Sequence, residues 1–212
     1  MFPQKAIFIL LLAGGLCACQ SQSATESTAD APTIGEATAT PKDTDITATT
    51  MTRDVTYQRR LVNQNYAISV TVQGEENMKD LQIEVLRGGK LVTEFTESID
   101  GQVAGSMTTD LNKNNRPEVL VFVESSGSGS YGLVYGYELS ESGKNPLTLP
   151  PMKGDAAEGY MGHDTFKVEN GKLLRTFPVY ADTDANASPT GGTRTLTYTL
   201  GSDLVFTLAK TT

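Results

Sequence analysis

The chain has 212 residues, a formal net charge of −8 at pH 7 and one histidine, and its two cysteines are Cys17 and Cys19. The acidic balance, without any basic stripe, argues against nucleic-acid binding. Because one histidine and no cysteine remain beyond this N-terminal pair, a Cys/His or multi-histidine metal site is excluded there.

The N-terminal segment Met1–Ala18 resembles an export signal. Lys5 supplies the positive charge, and Ala6–Ala13 is an unbroken apolar run, which is the arrangement typical of a signal peptide. The apolar run is too short to cross a bilayer as a helix, which needs about 20 apolar residues. We therefore predict that Met1–Ala18 is a lipoprotein signal peptide that is removed on export.

The segment Leu16–Cys19 (Leu-Cys-Ala-Cys) resembles a lipobox, and we predict that Cys19 is the lipidated residue. Two alternatives remain: acylation of Cys17, or a soluble secreted protein with a chance cysteine near its cleavage site. Because Gln20 rather than aspartate follows Cys19, comparison with other lipoproteins favours the outer membrane, with the domain facing the periplasm. Display on the cell surface is the alternative location.

Residues 19–54 are rich in Ser, Thr, Ala and acidic side chains and contain almost no large apolar residue. Such a segment cannot bury enough surface to offset the entropy lost on ordering, so we predict a disordered tether. A flexible chain of this length has a root-mean-square span of roughly 30 Å. The tether would lift the following domain away from the membrane.

From Val55 onward the sequence has the pattern of β-strands. Large apolar residues alternate with polar ones in Tyr66–Val72, Leu81–Val85 and Leu196–Leu200, a period of two that indicates strands. Glu118–Glu124 is apolar at nearly every position, which predicts a central strand covered on both faces. Further strands are predicted around Lys90–Thr96, Gly132–Glu138, Asp164–Val168, Leu173–Val179 and Leu204–Leu208, with turns at Gly88-Gly89, Asn170-Gly171 and Gly201-Ser202.

Short strands at close spacing, with no helical period after the signal, favour an all-β domain. We predict a single antiparallel β-sandwich, or a partly closed barrel, over residues 55–212 and around a single core.

Two acidic loops have residues that could bind a cation. In Asp110–Glu118, Asp110, Asn112 and Asn114 occupy the first, third and fifth positions of a calcium loop. However, Asn115 replaces the glycine of the EF-hand pattern, and Val121 replaces its bidentate glutamate. We therefore predict a polar turn there, with a weak calcium site as the alternative.

The second loop, Asp182–Asn186, is predicted to be a solvated turn, with a cation site again as the alternative. His163 and Asp164 could form a catalytic triad with a serine, but no segment has the strand–turn–helix frame of a nucleophile elbow. We predict that His163 belongs to a structured turn, that the protein is not an enzyme, and that it needs no cofactor.

The segment Ser125–Gly132 lies between two apolar strands, where a two-residue turn would suffice. Its composition alone favours a flexible hairpin loop. The functional interpretation is a protruding binding loop, Ser126–Tyr131. Glycines permit unusual backbone angles, serines offer hydroxyl groups, and Tyr131 provides a rigid amphipathic anchor.

Four segments resemble a known family: Ser125–Gly132 (SSGSGSYG), Gly159–Asp164 (GYMGHD), Phe177–Tyr180 (FPVY) and Pro189–Arg194 (PTGGTR). Together they resemble the periplasmic inhibitors of invertebrate-type (I-type) lysozyme. The similarity extends over most of the domain. GYMGHD and PTGGTR are the more specific strings, because other lysozyme-inhibitor families carry loops similar to SGSGSYG.

This resemblance implies a β-sandwich, often a homodimer, that inserts a loop into the active-site cleft of the lysozyme. The S-G-x-Y motif of the family falls on Ser128, Gly129, Ser130 and Tyr131, so the hydroxyl groups of Ser128 and Tyr131 are implied to occupy the cleft. The implied partners are an I-type lysozyme of a host or competitor and, through the lipid anchor, a membrane. The lipobox and the acidic tether depart from the many relatives that are freely periplasmic.

The implied function agrees with glycosidase chemistry. These enzymes use a pair of carboxyl groups in a cleft built for a sugar chain, and a thin loop of hydroxyl donors can enter such a cleft. An acidic protein also attracts basic lysozymes. The alternative function is that of a non-enzymatic envelope lipoprotein whose β-domain binds another envelope protein or a glycan.

Overall fold

The computed structural model describes residues 54–75, 78–141, 143–185 and 187–212, all within one compact unit, Thr49–Thr212. The predicted signal peptide, the lipidation of Cys19, the tether up to residue 53 and Asn186 of the second acidic loop lie outside the described residues. None of the described residues belongs to a helix with the length and hydropathy that a bilayer crossing requires.

The described chain is built from β-strands, with one short 3₁₀ helix at Gly154–Ala156. The strands are β1 (Val55–Asn63), β2 (Tyr66–Gln73), β3 (Met78–Arg87), β4 (Lys90–Asp100), β5 (Gln102–Thr109), β6 (Glu118–Glu124), β7 (Gly132–Ser140), β8 (Gly143–Pro146), β9 (Thr165–Glu169), β10 (Lys172–Pro178), β11 (Thr193–Leu200) and β12 (Phe206–Thr211).

These strands form three antiparallel sheets of four strands, in the orders β1-β2-β3-β4, β5-β6-β7-β8 and β12-β11-β10-β9. Neighbours in each sheet are consecutive in the chain, so each sheet is an antiparallel meander, and its longest connection, residues 179–192, joins β10 to β11. All three sheets are open, so the predicted all-β sandwich is confirmed and its barrel alternative is not needed.

The hydrophobic interior consists of two clusters, so the expectation of a single core is wrong. Val119, Val121 and Val123 of β6 pack with the β1–β4 sheet in the first cluster. Leu120 and Phe122 of the same strand pack with the β9–β12 sheet in the second. Successive side chains of a strand point to opposite faces. The β5–β8 sheet is therefore the middle sheet, and it is covered on both sides, as predicted for Glu118–Glu124.

The Asn170-Gly171 turn has the predicted hairpin geometry. Both residues have positive φ, at 52° and 69°, which is the requirement of a type I′ turn between two antiparallel strands. The turn joins β9 to β10 in register, with Glu169 opposite Lys172.

Three strands had no clear signal in the sequence. Most side chains of β1 are exposed, so their polarity obscures the period of two. The strand β5 contains Ala, Gly and Ser at several positions, and β8 is only Gly-Lys-Asn-Pro. Such residues are depleted in strands in general, and tertiary pairing with β6 and β7 places these segments in the middle sheet.

Candidate functional site

The candidate loop, Ser125–Tyr131, connects β6 to β7 and is closed by hydrogen bonds at its base. The Ser125 amide donates to the Tyr131 carbonyl at 2.9 Å, and the Tyr131 amide donates to Ser125 Oγ at 3.1 Å. The Ser130 amide donates to the Gly127 carbonyl at 3.3 Å. Ser126, Gly127 and Ser128 at the tip are exposed. The loop therefore has a defined base and a solvent-facing tip.

The side-chain hydroxyls of Ser128 and Tyr131 in this loop are available to a partner. Ser128 is exposed, and Tyr131 is 45% exposed. Within the described residues, neither side-chain hydroxyl has a hydrogen-bond partner. The Tyr131 ring packs edge-on against Tyr160, with 5.5 Å between the ring centroids. Tyr131 is thus held on one side by an aromatic contact and remains open to solvent.

A second segment, Tyr160–Asp164, supports the loop from below. The His163 amide donates to the carbonyl oxygens of Gly129 and Ser130, each at 3.1 Å. Gly162 lies so close that a Cβ atom there would be 1.8 Å from the Gly129 oxygen, and its φ is +92°. Only glycine fits this approach. The candidate loop is therefore braced by a neighbouring segment.

Asp164 connects the loop to the sheet behind it. Its carboxylate accepts hydrogen bonds from the Gly132 amide at 2.7 Å, the Tyr160 hydroxyl at 2.5 Å and Arg175 Nε at 2.6 Å. Arg175 also donates from Nη2 to the Tyr160 oxygen at 2.6 Å. The side chains of Asp164 and Arg175 are 0% and 9% exposed. A buried charge requires such complete pairing.

The protonation of Tyr160 and Arg175 fixes which atoms around Asp164 donate hydrogen bonds and which accept them. Burial, reinforced by the hydrogen bond to Asp164, raises the pKa of the Tyr160 phenol well above its ordinary value, so the phenol remains a donor. Burial opposes the charge of Arg175, but the hydrogen bond and attraction of Asp164 outweigh it and raise the pKa of the guanidinium. The Tyr160 phenol therefore stays protonated and Arg175 stays charged over the physiological pH range.

The arrangement does not assemble the catalytic triad considered from the sequence. Asp164 is engaged by Gly132, Tyr160 and Arg175, three groups other than the imidazole of His163. His163 is exposed with a φ of +59°, and its amide bonds to the loop as expected for a structured turn. His163 and Ser128 line one depression, but no hydrogen bond between them is present in the described chain.

The two remaining segments of the resemblance join the same surface. The Tyr180 amide donates to the Gly159 carbonyl at 2.9 Å, and the Val179 amide donates to the Gly192 carbonyl at 3.0 Å. Arg194 Nη1 donates to the Glu158 carbonyl at 2.5 Å. A depression of about 460 Å³ is lined by Ser128, His163, Pro178, Tyr180, Ala187 and Pro189. All four segments therefore meet at one end of the domain.

A larger groove lies beside Tyr131. Its volume is about 530 Å³, and Tyr131 and Tyr160 both line it. Much of the remaining lining is apolar and comes from Leu133, Val134, Tyr135, Leu149, Pro150, Pro151 and Met152. Leu133 is among the exposed large hydrophobic residues of the described chain. This groove offers an apolar surface next to the hydroxyls of the loop.

The loop containing Asp184 behaves as the predicted solvated turn. The Asp184 carboxylate accepts hydrogen bonds from the amides of Ala181 and Thr190, both at 2.7 Å, and from the Thr190 hydroxyl at 2.8 Å. The Thr190 amide, the Ala181 amide and the Thr190 hydroxyl hold the pKa of this carboxyl below its usual range. Its oxygens are used to shape the turn.

The loop containing Asp110 is also a hydrogen-bonded polar turn. The Asp110 carboxylate accepts from the amides of Asn114 at 3.0 Å and Asn115 at 3.1 Å. The first turn residue after Asp110, Leu111, is buried, and its amide donates to Glu118 Oε2 at 2.8 Å. This loop lies before β6, at the opposite end of that strand from Ser125.

Comparison of the sequence with protein-family models and with curated proteins finds no match.

Sequence reasoning identified Ser128, Gly129, Ser130 and Tyr131, which lie together in one loop. It missed the supporting role of Arg175, which carries no local signal because its partner Asp164 lies 11 residues earlier in the chain, just before β9.

Proposed function

We propose that this domain is a proteinaceous inhibitor of I-type lysozyme that inserts the Ser126–Tyr131 loop into the active-site cleft. The observation that carries the proposal is a braced loop presenting the Ser128 and Tyr131 hydroxyls, which have no partner within the described residues. In the bound state these hydroxyls donate to the catalytic carboxylates, and the loop excludes the sugar chain.

The energetics support a loop of this kind. A hydrogen bond to a charged acceptor contributes about 1.5–3 kcal/mol, and two such bonds distinguish a specific inhibitor from a weak binder. Because Gly129 and Ser130 are already held by His163, little loop entropy is lost on binding. Preorganisation of this type increases affinity by lowering the cost of association.

The charge of the chain supports fast association with a basic enzyme. A net charge of −8 creates a negative potential that attracts cationic proteins and raises their association rate. Because this long-range attraction does not involve the loop, it raises the association rate and does not strengthen the final hydrogen bonds.

We also propose that the protein is anchored to the outer membrane by a lipid on Cys19, with the domain in the periplasm. The lipobox at Leu16–Cys19 and the polar tether composition support this location. Mass spectrometry of the N-terminal peptide tests it. Diacylglycerol on Cys19 is the expected result, and release of the Cys19→Ser protein into the soluble fraction is the matching expectation. An unmodified Cys19 would contradict the anchor.

The most informative experiment measures inhibition of I-type, chicken-type and goose-type lysozymes by the purified chain. We expect inhibition of the I-type enzyme alone. Inhibition of none of the three, together with capture of an envelope protein or glycan, would contradict the proposal and favour the alternative function.

The apolar groove next to Tyr131 is the observation that favours this second candidate. A groove of about 530 Å³ lined by tyrosines and prolines has the size and surface that peptides and sugars occupy in other proteins. Leu133→Asp introduces a charge into the groove while leaving the Ser128 hydroxyl in place. The lysozyme hypothesis expects retained inhibition by this variant, whereas the alternative expects loss of the envelope ligand.

A further inference from the structure

Two buried glutamates lie side by side on neighbouring strands of the middle sheet, far from the candidate loop. Glu118 on β6 lies directly opposite Glu138 on β7 in the strand register, and the two residues are 0% and 2% exposed. Like charges at directly opposite positions destabilise a sheet, and burial increases this cost. The pair therefore needs a compensating positive charge or a proton.

The partners present in the protein do not fully satisfy this pair. Glu118 Oε2 accepts from the Leu111 amide, but Glu118 Oε1 is buried without any hydrogen-bond partner in the described residues. Glu138 accepts from Asn112 at 3.2 Å, from Asn114, and from Arg116 at 3.3 Å. Arg116 is more than half exposed, so water weakens its attraction.

A cation bound beside the two carboxyl groups would supply the positive charge that this buried pair lacks.

The loop before β6 adds oxygen ligands at the spacing that calcium loops use. Asp110, Asn112 and Asn114 occupy the first, third and fifth positions, the Arg116 carbonyl the seventh, and Glu118 the ninth. No three Asp, Glu, His or Cys side chains in the described ranges gather into a metal-binding group by themselves. A site here must therefore include amide oxygens. Asn112 Oδ1 and Asn114 Oδ1 accept the Asn114 and Arg116 amides within the loop, and their Nδ2 groups donate to Glu138, so both side chains must reorient for their oxygens to face a cation.

We propose that the Asp110–Glu118 loop and Glu138 form a calcium-binding site. Glu138 replaces the carboxylate that an EF-hand loop carries at its twelfth position, where this chain has Val121. The replacement comes from the neighbouring strand through the register that places Glu138 beside Glu118. For that reason a search along the loop sequence alone does not find it.

The ligand chemistry selects calcium among common divalent cations. Carboxylate, amide and carbonyl oxygens in a flexible loop suit the six to eight ligands of Ca²⁺, whereas Mg²⁺ requires stricter octahedral geometry and keeps several waters. The site lies at the end of β6 and β7 opposite the candidate loop. The distance between the two is about 20 Å, at about 3.3 Å per strand residue. Its role is structural, and it does not depend on the proposed function.

Calorimetric titration of the full chain, first treated with EDTA, with CaCl₂ and separately with MgCl₂ tests the proposal. We expect one Ca²⁺ per chain with a Kd of about 10⁻⁴ M or tighter, and weaker binding of Mg²⁺. At about 100 times the Kd, calcium should raise the Tm by about 5–10 °C. Absence of calcium binding at 1 mM, or equally tight binding of Mg²⁺, would overturn the proposal.

Variants separate the site from a general effect of ionic strength. Glu138→Gln and the exposed Asn114→Ala should each lower calcium affinity at least tenfold, and the second keeps the buried pair intact if the first fails to fold. Asp184→Asn, in the other acidic loop, is the matched control and should retain the full calcium-induced rise in Tm. Loss of that rise in the control, or its retention in both site variants, would contradict the assignment.

Discussion

The Gly132 amide donates a 2.7 Å hydrogen bond to Asp164 Oδ2, across 32 residues of sequence. Gly132 is the first residue after the candidate loop, and Asp164 ends the segment that braces it. Through Asp164 the same bond network reaches Arg175 on β10. The position of the loop is therefore set by a buried polar group in the third sheet, and not by the β6–β7 hairpin alone.

Removal of the charge on Asp164 should destabilise the domain strongly. Asp164→Asn leaves Arg175 buried without its counter-ion, and breaking a buried pair in this way costs about 3–5 kcal/mol. Urea unfolding followed by circular dichroism measures the change. Glu169→Gln, which breaks the exposed Lys167–Glu169 pair, is the control and should cost less than about 1 kcal/mol. Equal effects of the two substitutions would contradict the role given to Asp164.

Gly162→Ala should displace the binding loop. The added methyl group would lie 1.8 Å from the Gly129 oxygen, so the backbone of the loop or of its support must move. We expect inhibition to weaken at least tenfold, measured by titration against a fixed amount of I-type lysozyme. The control is Gly89→Ala, which has a similar positive φ of +81° but open space around it; it should retain full inhibition.

If the proposed function is correct, salt should slow the association of this chain with a basic lysozyme. Electrostatic steering by the acidic chain is screened as the Debye length falls from about 10 Å at 0.1 M to about 3 Å at 1 M. We expect the association rate constant to fall about tenfold over this range, with a smaller change in the dissociation rate. Surface plasmon resonance separates the two constants. An association rate that is independent of salt would contradict the expected electrostatic steering.

The fold was predictable where one residue pattern determined the local structure. The continuous apolar run of Glu118–Glu124 predicted a strand buried on both faces, and the Asn170-Gly171 pair predicted a tight hairpin. The number of sheets was not predictable, because the sequence of β6 does not indicate that its two faces pack against different sheets. Strands such as β8 form through pairing with a neighbour and have little propensity of their own.

The candidate loop could be identified from its place between two strands and its resemblance to a known family, but its support could not. Asp164 looked like a partner of the adjacent His163, yet its carboxylate pairs with Arg175 and Tyr160. Likewise, Glu138 belongs beside Glu118 only because of the register of β6 and β7. Both relationships connect distant parts of the chain, and neither leaves a periodic signal in the sequence.

The proposed inhibition depends on the hydroxyls of Ser128 and Tyr131. Tyr131→Phe removes the hydroxyl while keeping the ring that packs on Tyr160, so its combination with Ser128→Ala should leave the fold and the loop position unchanged. Ser202→Ala, an exposed serine in the β11–β12 turn, serves as the control.

The decisive measurement is the inhibition constant of the Ser128→Ala, Tyr131→Phe double variant against an I-type lysozyme, compared with that of the unaltered chain. The predicted result is a loss of affinity of at least a hundredfold, about 2.7 kcal/mol, with an unchanged Tm and with full inhibition by Ser202→Ala. Undiminished inhibition by the double variant would contradict the proposed insertion of this loop.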